Sequence, residues 1–152
     1  MTARALLDTS ALLLLGVVED PTELPGELFI STVTLAELSV GPLVATDDAT
    51  RAARQAHLQQ AEADFDPLPL DAAAARAFGR VAASLRAGGR KPAARAYDAL
   101  IASIALANRL PVITANPRDF DGISELTVLP LPTRIGRERI GGQEQHAGGI
   151  HP

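Results

Sequence analysis

The chain has 152 residues, 47% of them hydrophobic, a net charge of −4 and no cysteine. That length suits one domain with one substantial core. The missing thiols exclude disulfide scaffolds, thiolate zinc sites and cysteine nucleophiles, and make the cytoplasm the expected compartment. Residues 4–7, RALL, predict a short strand, after which Asp8-Thr9-Ser10 opens a helical stretch, ALLLLGVV. Asp8 interrupts this apolar start and no small-residue cleavage signature follows, so the segment reads as strand and helix rather than as a leader or membrane span. Pro21, Pro25 and Gly26 mark a loop, ELFIST (27–32) a second strand, and VTLAELSVGPLVA (33–45) a helix weakened at Gly41-Pro42. Asp47 or Asp48 caps a long helix to about Phe65, DPLPL (66–70) is extended, and Asp71 caps an alanine-rich helix over 72–86. Gly88-Gly89 breaks that helix. The next one, AYDALIASIALA, ends near Asn108, expected as a left-handed cap. LPVITA (110–115) is a buried strand, NPRDFDG (116–122) a turn and LTVLPLP (126–132) a last strand. From Thr133 the chain has too little apolar content to fold, so the expected division is a domain over 1–132 and a flexible tail over 133–152.

Strands alternating with helices imply an α/β domain with a mostly parallel sheet, in which ligands sit beyond the carboxyl ends of strands. Asp8 follows the first strand and Asn116 follows PVITA, so both belong to one rim.

Asp98 is anomalous. It shares a helical face with Ile101, Ala102 and Ala105, where a desolvated carboxylate is costly unless paired. Glu37 lies in a similar stripe with Val33, Val40 and Val44. Each acid has a plain structural alternative. Asp8 can cap the following helix, and Thr34 to Glu37, TLAE, matches a capping box. Asp98 in a first helical turn is favoured by the helix dipole, and Asn116 and Asp119 suit a turn. Carboxylates from separate segments that meet in a fold repel one another. A divalent cation relieves the repulsion, and oxygen-only ligands suit Mg2+ or Mn2+. Such a site activates water against a phosphodiester.

The order LLDTSALL, TVTLAEL, DALIASIALANRLPVITANPRDF resembles the PIN-domain ribonucleases, specifically the VapC-type toxins of bacterial toxin–antitoxin pairs. The similarity runs from about residue 4 to residue 131, with GPLVA, LPLD and LRAGGRK in the expected order between the motifs. It implies a three-layer PIN-like fold and a metal-dependent endoribonuclease whose acidic cluster maps to Asp8, Glu37 and Asp98. The cofactor expected is Mg2+, with Mn2+ as substitute. The partners expected are a cognate antitoxin, an RNA substrate and a second copy of the chain, with no membrane. In the fourth polar position Asn116 stands where many members have aspartate, and Asp119 can make up the missing charge. Asp8 and Asp98 are then metal ligands, and Glu37 a ligand or the group that orients and deprotonates water. Thr9, Ser10 and Thr114 are candidates for hydrogen bonds to these carboxylates or to a phosphate.

Arg86, Arg90, Lys91 and Arg95 precede Asp98 and are candidates for the RNA backbone, or simply a solvated loop. His57 reads as a surface residue, and His146 and His151 fall in the tail without a role. Two other classes compete. Another magnesium-dependent phosphohydrolase is disfavoured, because DTS lacks the second acid of an Asp-x-Asp start and the only lysine, Lys91, lies in a glycine loop. A non-catalytic PIN-fold interaction module stays open through the neutral Asn116.

Overall fold

Four short stretches of alternating or continuous apolar residues form one sheet, and their side chains decide which helices cover each face. A computed structural model describes residues 3–133. The tail expected from Thr133 therefore lies outside the described residues, except for Thr133 itself, which is buried. The strands are β1 (Arg4–Leu7), β2 (Glu27–Phe29), β3 (Val112–Thr114) and β4 (Val128–Pro130). They pair in the order β2-β1-β3-β4 and every pairing is parallel. Leu6 and Val112, paired in register, point to one face, while Ala5, Leu7 and Ile113 point to the other.

On the Leu6 face pack α4 (Ala72–Ala87) and α5 (Ala96–Ala107). Ala74, Ala77, Val81 and Leu85 recur at helical spacing along the buried side of α4, and α5 meets them with Ala99, Ala102 and Ala105. Small side chains let the two helices approach closely. Ser103 is buried in this layer and its hydroxyl donates to the Ala99 carbonyl at 2.6 Å. On the other face lie α1 (Thr9–Leu13), α2 (Thr32–Leu43) and α3 (Asp48–Asp64), with Ala11, Leu38 and Ala61 turned inward. The result is the three-layer arrangement expected.

The boundaries differ from expectation in instructive places. The helix expected across ALLLLGVV stops at Leu13 and continues as a 3-10 turn, Leu15–Val17, around Gly16. Ser31, expected in the second strand, is instead the N-cap of α2, accepting from the Thr34 amide at 3.1 Å. The TLAE capping box is therefore not formed. Proline 42 does not end α2. Arg54 of α3 donates to the Gly41 carbonyl at 3.0 Å and lies so close that a Cβ at Gly41 would sit 3.2 Å from its Cδ. DPLPL supplies one bridge, Leu68 to Ser31, rather than a strand. The left-handed residue after α5 is Arg109, at φ 55°, not Asn108.

The strand order places the switch point between β1 and β3. From β1 the chain crosses to β2 on one side, then returns past β1 to β3 on the other. At such a point the loops leaving the two central strands diverge and open a crevice at their carboxyl ends.

Candidate active site

Asp8 leaves β1 at that crevice, and β3 ends beside it. The Asp8 amide donates to the Ile113 carbonyl at 3.0 Å, which sets Asp8 level with Thr114. Its buried carboxylate is held on both oxygens. Oδ1 accepts from the Ser10 hydroxyl (2.7 Å) and the Ala11 amide (2.8 Å), and Oδ2 accepts from the Thr114 hydroxyl (2.6 Å). Asp8 thus caps α1 and belongs to the rim as well. Ser10 in turn accepts from the Ala115 amide at 3.1 Å, and Thr114 accepts from the Asn116 amide at 3.0 Å, so the turn after β3 is tied to the same group.

Glu37 arrives from the middle of α2, one and a half turns past the cap. Its Oε1 accepts from the Thr9 hydroxyl at 2.9 Å. With its proton given to Glu37, Thr9 accepts from the Thr34 hydroxyl 3.0 Å away. Thr34 is completely buried and links α2 to α1 beneath the carboxylate. Sequence reading did not select it. The sequence marked it only as the head of a capping box with Glu37, not as a hydroxyl under the carboxylate.

Asp98 occupies the third position of α5, half-buried beside Ile101, Ala102 and Ala105. It caps nothing, and among the described residues no donor is hydrogen-bonded to it. Burial, then the charges of Asp119, Asp8 and Glu37, push its carboxyl up to about 6, against the Arg95 guanidinium, which pulls it down. Burial also raises Asp8 and Glu37, against the hydroxyl donors that lower them. The charge of Asp119 adds to the rise at Asp8, and that of Asp8 to the rise at Glu37. These mutual effects bring Asp8, Glu37, Asp98 and Asp119 into one electrostatic cluster drawn from four separate segments. Asp119 lies in the 3-10 turn Pro117–Phe120, half-buried, while Asn116 is exposed at the head of that turn. Of the two, Asp119 is the residue whose charge reaches the others.

The cluster is open. Among the described residues no three acidic or histidine side chains gather closely enough to make a ready-formed metal cage. Its chemistry nevertheless fits a hard divalent cation, since the donors are all oxygen, desolvated and mutually repelling. Magnesium in particular keeps several waters and takes only one or two carboxylates. A cavity of about 740 Å³ lies elsewhere, lined by Arg80, Ser84, Leu106 and Ile123. An open rim suits a polymer better than an enclosed pocket does, so the carboxylate cluster, not the cavity, is the candidate site. Of the basic residues before Asp98, Arg86 and Lys91 are exposed, and Arg90 approaches Asp121 at 3.9 Å. Arg95 donates to the Arg118 carbonyl at 2.7 Å. His57 is exposed on α3, and His146 and His151 lie outside the described residues.

The PIN domain model matches residues 5–126, most of the chain and every segment of the cluster. The chain belongs to the PIN-domain family. It is 37% identical to Ribonuclease VapC5 of Mycobacterium tuberculosis over 132 residues, covering 84% of this chain and 95% of that protein. Ribonuclease VapC4 of the same organism is 32% identical over 130 residues, covering 84% and 97%. The crystal structure of VapBC-5, a toxin–antitoxin system of M. tuberculosis, superposes with a TM-score of 0.68 at 34% identity, over 85% of this chain and 98% of that one. Within its family the chain groups with the VapC ribonucleases, and it is a PIN-domain nuclease. No helix among the described residues is long and apolar enough to cross a membrane.

Proposed function

We propose that this PIN-domain nuclease is a toxin that hydrolyses RNA through a divalent cation, Mg2+ or Mn2+, held by Asp8, Glu37 and Asp98 with Asp119 in support. The observation that carries this reading is the cluster itself: four carboxylates from four segments at the switch point of the sheet, where burial and neighbouring charges make Asp8, Glu37 and Asp98 weaker acids. PIN-domain nucleases generally depend on divalent metals, and these donors are of the kind such ions take. When bound, the cation supplies positive charge against the phosphodiester and makes nearby water more acidic. The chain's own groups do the rest. The hydroxyls of Ser10 and Thr114 fix Asp8. Thr9 fixes Glu37 by Oε1, leaving Oε2 to take a proton from the attacking water as the water oxygen bonds to phosphorus, while the bridging P–O bond breaks and the departing alkoxide takes a proton from solvent. Asn116 shapes the turn that holds Asp119 in reach.

Regulation follows the relatives, whose solved structures are toxin–antitoxin complexes. Leu13 and Val17 of the α1 segment and Val40, Leu43 and Val44 of α2 are 44%, 54%, 53%, 85% and 60% exposed. Leu13 and Val40 lie one turn beyond the Thr9–Glu37 bond. An amphipathic antitoxin segment packed there could extend a cation to the acidic rim. Helix α3 exposes no large hydrophobic residue, so the surface belongs to α1 and α2. A homodimer in the cytoplasm completes the reading. Incubation of the purified protein with an RNA pool tests it: cleavage is expected with Mg2+ or Mn2+ and not in excess EDTA, and full activity in EDTA would overturn it.

A further inference from the structure

Arg95 is a cation to which the proposed chemistry gives no task. It closes the 3-10 turn Pro92–Arg95 and stands three residues before Asp98. Its Nη1 reaches across to the Arg118 carbonyl, 2.7 Å away, in the turn that carries Asp119. One side chain thereby joins the two turns from which Asp98 and Asp119 enter the cluster. Four other arginines are paired differently. Arg4, Arg51, Arg80 and Arg90 each lie within 4 Å of a carboxylate, at Glu27, Asp48, Glu125 and Asp121 respectively. Arg95 forms no such ion pair among the described residues, although its charge acts on Asp98. It is half-buried, and one hydrogen bond restrains it.

A guanidinium has five N–H donors in a rigid fork that matches two phosphate oxygens. Here Nη1 is engaged by a backbone carbonyl, while Nε and Nη2 donate to nothing among the described residues. Four carboxylates repel a phosphodiester, so a polyanion needs a fixed positive group at their border to approach in one register. Resting on the nuclease reading above, we propose that Arg95 is the phosphate-positioning residue of the site, anchored on the Arg118 carbonyl by one edge and receiving an RNA phosphate on the other. A lysine in its place keeps the charge and loses the fork. A glutamine loses the charge.

The test is binding of a fluorescent mixed-sequence single-stranded RNA to the full chain carrying Asp8→Asn to prevent cleavage, over a series of salt concentrations. Adding Arg95→Gln should weaken binding about tenfold at low salt and reduce the slope of log K against log salt by about 0.7, the value for one lost phosphate contact. Arg95→Lys should retain the slope with an intermediate affinity. A purely structural clamp predicts the reverse: a lower melting temperature in both variants and an unchanged slope, and that result would overturn the proposal. If the Asp8→Asn protein binds RNA normally while the slope is unmoved by Arg95→Gln, only this assignment fails. If the otherwise unaltered protein neither binds nor cleaves RNA with metal present, the nuclease reading fails and takes the assignment with it.

Discussion

Asp98 joins a buried apolar helix face to a cluster of like charges, and its acidity should report both. In the metal-free protein its carboxyl titrates near 6, against 3.8 for the free group. Below about pH 4 it is protonated folded and unfolded alike. As pH rises, the unfolded chain ionises first, so the stability that this group contributes is present at acid pH and lost as pH passes 6. In EDTA, the wild type should therefore lose stability relative to Asp98→Asn between pH 4 and 7, and added Mg2+ should shrink that loss by favouring the ionised form. Parallel melting curves of the two proteins across this range would contradict the cluster. Thr34→Val tests the layer beneath Glu37. Removing the buried hydroxyl should cost about 1 kcal/mol in urea unfolding and lower RNA cleavage further by loosening the Thr9–Glu37 bond. At the fourth position, Asp119→Asn should weaken metal binding by calorimetry, because its charge reaches Asp98, and Asn116→Asp should strengthen it only if that exposed side chain turns toward the rim. Asp8, Glu37 and Asp98 stood out in the sequence, because an acid inside an apolar segment is conspicuous. Thr34 did not, because a threonine on a helix face carries no such contrast, and its value depends on a partner 25 residues away.

At the level of elements, the helix ends show what sequence reading can and cannot see. Helices α4 and α5 end in the same way. After α4 the amides of Gly89 and Arg90 donate to Arg86 and Leu85. After α5 those of Arg109 and Leu110 donate to Leu106 and Ala105. Both are Schellman closures with the left-handed residue one position past the cap. In α4 that residue is Gly89, at φ 75°, and the two glycines made the break readable. In α5 it is Arg109, with a Cβ that opposes the conformation, and the asparagine just before it drew the assignment one residue early. Asn108 serves otherwise, its side-chain amide donating to the Ile104 carbonyl at 2.7 Å. Arg109→Gly should consequently raise stability by about 0.5 kcal/mol, roughly 2 °C in Tm, since relief of left-handed strain exceeds the added freedom of the unfolded chain. A fall in Tm would mean that the Arg109 side chain makes an offsetting contact. The start of α2 failed for a related reason. Ser31 and Thr34 are both competent caps, and only the bridge to Leu68 fixes the turn at Ser31.

For the molecule as a whole, the alternation of strands and helices was enough to read an α/β domain with a mostly parallel sheet, and the family resemblance added the three layers, but neither gave the order β2-β1-β3-β4 that makes a crevice between β1 and β3. That order depends on pairings between distant segments, which local pattern does not encode. It is also what brings Asp8 and Thr114 together across 106 residues, and with them the loops and helices that carry Glu37, Asp98 and Asp119. The apolar surface of α1 and α2 borders the same rim, so a partner that covers it can reach the acids. Light scattering of the free protein at micromolar concentration should give a dimer, and addition of the antitoxin should abolish cleavage. The decisive measurement is cleavage of RNA by wild-type protein and by Asp98→Asn, at matched folded concentration, with Mg2+ and with EDTA. Cleavage should occur only for the wild type with the metal, with Asp98→Asn reduced at least a hundredfold while its melting temperature in EDTA at neutral pH is no lower. Comparable cleavage by the folded Asp98→Asn protein, or by the wild type in EDTA, would contradict a metal site built on that carboxylate.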